Sequence, residues 1–131
     1  MCSILVPMAA KKVLVVDDEK AFQFLISKAL EKEGYKILLA GNGLEAVEVA
    51  LSEHPDLILM DLFMPVKDGL SAIRDLREDA WGKTVKIVVL TNVDYPETVQ
   101  ESKGLNIQQY LVKSNQSLKD IAVLANSLTA D

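Results

Sequence analysis

The stretch "VLVVDDEKAF", residues 13–22, sets four apolar residues directly against three acids, Asp17, Asp18 and Glu19. An unbroken apolar run that ends in turn-forming polar residues reads as a buried strand surfacing at its C-terminal end. Three adjacent carboxylates repel one another, so the charge at this point calls for a reason. Either the turn is merely solvated, or it is part of a cation site completed by residues much further along.

Similar apolar runs occur at residues 37–40, 57–60, 87–90 and 110–112, each read as a strand covered on both faces. Segments of helical period lie between them. Phe22, Leu25, Ile26, Ala29 and Leu30 share one helical face, with Gly34 as the stop. Asn42 and Glu45 have capping-box spacing before Ala46, Val47 and Ala50, and Gly69 opens a third helix carrying Leu70, Ile73 and Leu76. The same spacing recurs at Asp94 and Glu97, with Pro96 in the first turn, and at Ser117 and Asp120 before Ile121, Leu124 and Leu128. The pattern is a (βα)5 fold of the α/β class. Its crossovers are long enough for helices, which implies a parallel sheet doubly wound with helices on both faces.

The rest of the chain limits what this fold can do. Its 131 residues fit one domain with a substantial core, and no repeat or second domain is visible. A net charge of −5 argues against direct nucleic-acid binding, which wants a basic surface. A single cysteine, Cys2, cannot form an internal disulfide, and no apolar stretch approaches the roughly 20 residues that span a bilayer. The opening "MCSILVPMAA" lacks the basic start of a signal peptide. Residues 1–10 are read as a flexible leader and residues 11–131 as the domain, with a cytoplasmic location expected.

In such a sheet ligands bind in the crevice outside the C-terminal strand ends. The first strand brings Asp17 and Asp18 there, the third Asp61, the fourth Thr91 and the fifth Lys113. Singly, each is an ordinary polar strand end. Together, three close carboxylates need a cation or protons between them, and oxygen-only ligands suit magnesium better than zinc or copper. A carboxylate beside magnesium and a lysine is equipped to attack a phosphoryl group, giving an aspartyl phosphate.

With these residues in place, the sequence resembles the receiver domain of two-component response regulators from residue 11 to about residue 130. The matching pieces are "VLVVDDE", "LEKEGY", "NGLEAV", "PDLILMDLFMPVKDG", "IVVLT" and "YLVK", in order and suitably spaced. The resemblance implies a flavodoxin-like strand order 2-1-3-4-5. It makes Asp61 the phosphoacceptor and Asp18 a direct magnesium ligand, with Asp17 acting mainly through water and the backbone carbonyl of Phe63 completing the set. Thr91 would bind the phosphoryl group, Lys113 would pair with it, and Tyr110 would be the aromatic switch that turns inward on activation. Met64, Pro65 and Gly69 resemble the loop after the phosphoacceptor, where the glycine is read as permitting a tight turn.

There are departures. Ser114 follows Lys113 where the family usually has a cis proline; a cis bond before serine costs about 2.5–4 kcal/mol, so trans is expected. Asn92 replaces the usual small residue after the threonine, placing a larger polar group beside the phosphoryl position. Phe63 and Val93, which flank the site, are both apolar, which predicts slow loss of phosphate. His54 is read as a loop residue rather than a ligand, Trp81 as a partly buried anchor and Phe24 as exposed.

The function implied is a signalling receiver, not an enzyme proper, that takes phosphate from a histidine kinase or phosphotransfer protein. It would act as a monomer or weak dimer on a downstream protein, or through an output domain that has been removed, since only "TAD" follows the last helix. A phosphorylation-independent interaction module is the alternative. A phosphatase of the haloacid dehalogenase type needs an Asp two residues after its nucleophile, where Glu19 stands, and a flavodoxin would need a phosphate-cradling loop where this one is acidic.

Overall fold

All five apolar runs become strands, and all five periodic segments become helices. The computed structural model of the protein describes residues 10–130. Residues 1–9 of the expected leader, Cys2 among them, lie outside the described residues. In chain order the elements are β1 (Lys12–Val16), α1 (Lys20–Glu31), β2 (Lys36–Ala40), α2 (Gly43–Glu53), β3 (Leu57–Met60), α3 (Gly69–Arg77), β4 (Lys86–Thr91), α4 (Pro96–Glu101), β5 (Gln109–Val112) and α5 (Leu118–Thr129). The strands form one parallel sheet in the order β2-β1-β3-β4-β5.

The pleat divides the core. Leu14, Val16, Ile58, Met60, Ile87 and Val89 pack with Ala46, Ala50, Ile73 and Leu76 of α2 and α3. Alternate residues Val13, Val15, Leu57, Leu59, Val88 and Leu90 pack with Ile26, Leu30, Ile121 and Ala125 of α1 and α5. Each fully buried Leu or Ile contributes about 2 kcal/mol by leaving water. Burial on both faces holds for β1, β3 and β4 but not for the outer strands. Leu39 of β2 is exposed and β5 has no fully buried residue, because edge strands have a neighbour on one side only.

The helix signals were mostly sound. Ser117 and Asp120 form a complete capping box at 3.0 and 2.9 Å. Asn42 caps α2 by accepting from the Glu45 N–H, but Glu45 reaches back to the N–H of Gly41 rather than that of Asn42. Gly69 does open α3, with Asp68 as its cap through the Ser71 N–H at 2.8 Å. At α4 the expected cap fails: Tyr95 occupies the capping position without a side-chain bond, one residue after Asp94, and the helix is only six residues long. His54 stacks on Trp81 with ring centroids 4.4 Å apart, which makes Trp81 the anchor expected, and Phe24 is exposed. Among the described residues no helix is long and apolar enough to cross a membrane.

Candidate functional site

The site is built by extending the strand ladder one step beyond its apolar part. Val16 and Met60 are in register, so the next residues, Asp17 and Asp61, emerge side by side. The Asp61 N–H donates to the Val16 carbonyl at 3.0 Å and the Asp17 N–H to that of Ala40 at 3.1 Å. The Gln23 amide of α1 also donates to the Ala40 carbonyl at 3.0 Å, tying the helix to the ends of β1 and β2. Oxygens of Asp17, Asp18 and Asp61 fall within 4.8 Å of one another; Asp17 and Asp61 are buried and Asp18 is exposed. Hard, oxygen-only donors with one open side fit a magnesium ion.

Lys113 reaches into this cluster from the end of β5. Its Nζ lies 2.7 Å from Asp17, 2.6 Å from Glu19 and 3.8 Å from Asp61, with the Phe22 ring 4.4 Å away. No peptide bond is cis among the described residues, so Lys113–Ser114 is trans, as serine predicts. The chain turns there through a short 3₁₀ helix, Lys113–Asn115. The lysine therefore reaches the crevice without a proline to direct it.

The electrostatics follow from burial. Desolvation pushes Asp61 up to about 6, against the lowering effect of Lys113, and Asp17 adds repulsion. Burial also raises Asp17, which Lys113 only partly offsets. Burial alone would depress Lys113, but hydrogen bonds to Asp17 and Glu19 and the field of Asp61 hold it above its ordinary value. Glu19 is lowered by its hydrogen bond to Lys113.

The other candidates are distributed as follows. Thr91 is completely buried and its Oγ1 has no hydrogen-bond partner. A buried orphan hydroxyl is costly unless a partner is supplied later. Tyr110 packs its ring against the core, and its hydroxyl is also buried and unpartnered. Phe63 and Val93 are both exposed, and Phe63 meets Tyr95 edge-on at 5.7 Å. The Phe63 backbone contributes a hydrogen bond that favours ionised Asp61. Asn92 points at Glu19, with Nδ2 3.3 Å from its Oε1.

Gly69 has a different purpose from the one expected. Among the described glycines only Gly34 and Gly104 have positive φ, and the left-handed residue in the loop after Asp61 is Val66, at φ 71°. Gly69 is required by contact: a Cβ there would lie 2.2 Å from the Asp61 carbonyl oxygen. Two residues of the site were not read from the sequence. Glu19 figured only as a third acid, and Phe22 only as a member of a helical face. The local signal was the triplet "DDE" itself; what it could not show is which distant cation it meets.

With this geometry established, the comparisons are specific. A family model for the response regulator receiver domain matches residues 13–124. The chain is 32% identical over 121 residues to the chemotaxis protein CheY of Halobacterium salinarum, covering 92% of this chain and 99% of that one. It is 30% identical over 106 residues to the sporulation initiation phosphotransferase F of Bacillus subtilis, covering 81% and 84%. Among solved structures it is similar to the receiver domain of the sensor histidine kinase PA1611 of Pseudomonas aeruginosa PAO1. That match has a TM-score of 0.84 at 28% identity and covers 94% of this chain and 100% of the other, whose active site cleft coordinates a magnesium ion.

Proposed function

The chain belongs to the response regulator receiver family of two-component systems, and on that premise we propose that Asp61 is its phosphoacceptor. The observation that carries this reading is a buried carboxylate, Asp61, with two more carboxylates within 4.8 Å and an ammonium 3.8 Å away. Asp61 attacks the phosphorus of a phosphohistidine on a kinase or phosphotransfer protein. A phosphorus–oxygen bond forms, the phosphorus–nitrogen bond breaks, and the leaving imidazole takes up a proton. Asp18 and Asp61, with the backbone carbonyl of Phe63 and with Asp17 acting mainly through water, would hold Mg2+, which would neutralise charge on the phosphoryl oxygens. Lys113 pairs with one of those oxygens and the Thr91 hydroxyl donates to another. Burial raises the Asp61 carboxyl in the metal-free site, and a bound cation would favour its ionised, nucleophilic form. Movement of Thr91 toward the phosphoryl group lets Tyr110 reposition, which changes the surface that a downstream protein reads.

Intact mass spectrometry tests the assignment. Incubation with a small phosphodonor and magnesium should add one phosphoryl group, mapped to Asp61; no gain, or a gain mapped elsewhere, would refute it.

The metal ligands give a second expectation. Asp18 is exposed and repels its buried neighbours, so Asp18→Ala should weaken magnesium binding at least tenfold and leave metal-free stability unchanged or slightly higher. Calorimetric titration with magnesium and a thermal melt in chelator check both halves. A clear loss of stability in chelator would make Asp18 structural instead.

A further inference from the structure

We infer that Glu19 is a catch on Lys113, a positioning residue that must yield before the lysine can serve the phosphoryl group. The inference rests on Asp61 as the phosphoacceptor, and it arises from three contacts that meet at one side chain. The Glu19 carboxylate accepts from Lys113 Nζ at 2.6 Å and from Asn92 Nδ2 at 3.3 Å. Its backbone N–H donates to Asp17 at 2.9 Å. One residue thus ties together the loops that follow β1, β4 and β5. It stands at the capping position of α1 yet makes no side-chain cap there, its carboxylate being turned toward Lys113 instead.

The ammonium has three N–H donors. Two are directed to Asp17 and Glu19, and the Asp61 carboxylate, at 3.8 Å, is beyond hydrogen-bond range. Bonding to an oxygen at Asp61 requires Nζ to travel about 1 Å toward it. Phe22 closes another side at 4.4 Å. Of the two anions holding the lysine, Asp17 is buried and fixed by the strand ladder, whereas the Glu19 side chain is about half exposed, at 51%. Glu19 is therefore the partner that can rotate away. An ordinary surface ion pair contributes little, but the lysine side of this one is only 6% exposed, so solvent screens it less. Asn92 adds a second hold on the same carboxylate, and Lys113 reaches the phosphoryl oxygens only when its bond to Glu19 is released.

The test compares wild type, Glu19→Gln and Asp61→Asn as intact chains. Glu19→Gln keeps the size and the Asn92 contact while removing the charge that binds the ammonium. It should take phosphate from phosphoramidate, at saturating magnesium, about three- to fivefold faster than wild type, the range of one such ion pair. In metal-free protein, nitrogen-edited NMR should show the Lys113 ammonium protons exchanging with water faster in Glu19→Gln than in wild type. A variant that is phosphorylated no faster, or more slowly, makes Glu19 a support and overturns the catch; so do equal ammonium exchange rates. If wild type itself gains no phosphoryl group, matching Asp61→Asn, the phosphoacceptor reading has failed and takes the catch with it. The mass of the wild type therefore separates the two failures.

Discussion

Asp61→Asn should abolish phosphoryl uptake and, in chelator at pH 7.5, leave the protein about 2–3 kcal/mol more stable than wild type. Burial holds the Asp61 carboxyl at about 6, well above its ordinary value of 3.8, and a tenfold shift in acidity corresponds to about 1.4 kcal/mol. The sign follows from proton linkage. A folded-state pKa above the unfolded one means that the folded protein binds more protons between the two values. The ionised carboxylate therefore opposes folding in full above about pH 6, and the penalty fades as the pH falls through that range and below 3.8, where both states are protonated. Asparagine carries no charge at any pH, so the difference in thermal midpoint should be roughly 5–15 °C at pH 7.5 and close to zero near pH 3. Saturating magnesium should narrow the gap at pH 7.5 from the other side, because the metal stabilises the folded wild type by mass action. Thermal melts at the two pH values, with and without magnesium, decide this. A gap independent of pH, or an asparagine variant that melts lower in chelator, would mean that Asp61 is not a strained carboxylate.

That strain could be foreseen because a parallel sheet converts sequence position into spatial position with little ambiguity. Asp17 and Asp61 each follow an apolar strand, and matching register makes them neighbours; Thr91 and Lys113 follow by the same rule. Ser117 was legible as a cap because the box is local, complete within four residues. What was not legible depends on distance or on small offsets. Glu19 and Lys113 are 94 positions apart, and nothing in either neighbourhood specifies that an α1 residue crosses to the end of β5. The failed cap at Asp94 reflects an offset of one residue, which spacing rules do not resolve. The exposure of Leu39 depends on β2 lying at the edge of the sheet, an arrangement that the apolar run at 37–40 does not itself encode. Gly69 was placed correctly but for the wrong reason. A glycine required by a positive φ and one required by close approach look identical in a sequence.

The distinction has a large consequence. Gly69→Ala should destabilise the protein by about 3 kcal/mol or more and reduce phosphoryl uptake at least tenfold. The added methyl would sit 2.2 Å from the Asp61 carbonyl oxygen and 2.8 Å from Leu62 Cα, and both are backbone atoms that cannot swing aside. The surrounding loop is tied at several points. The Gly69 N–H donates to the Leu62 carbonyl at 2.9 Å, the Lys67 carbonyl accepts from the Gly43 N–H at 2.8 Å, and Lys67 pairs with Asp75 at 2.6 Å. Relief therefore comes from moving the start of α3 or the backbone of Asp61, and the second displaces the carboxylate from the cluster with Asp17 and Asp18. Val66→Gly tests the same loop in the opposite direction. Val66 is exposed, β-branched and left-handed, so glycine should remove local strain and be neutral to stabilising by up to about 1 kcal/mol. Urea unfolding of both variants, with phosphoryl uptake followed by mass, separates the alternatives. If Gly69→Ala is as stable as wild type, the α3 start is not pressed against the phosphoacceptor strand. If both substitutions destabilise equally, the loop is merely intolerant of change, and close approach is not the reason for its glycine.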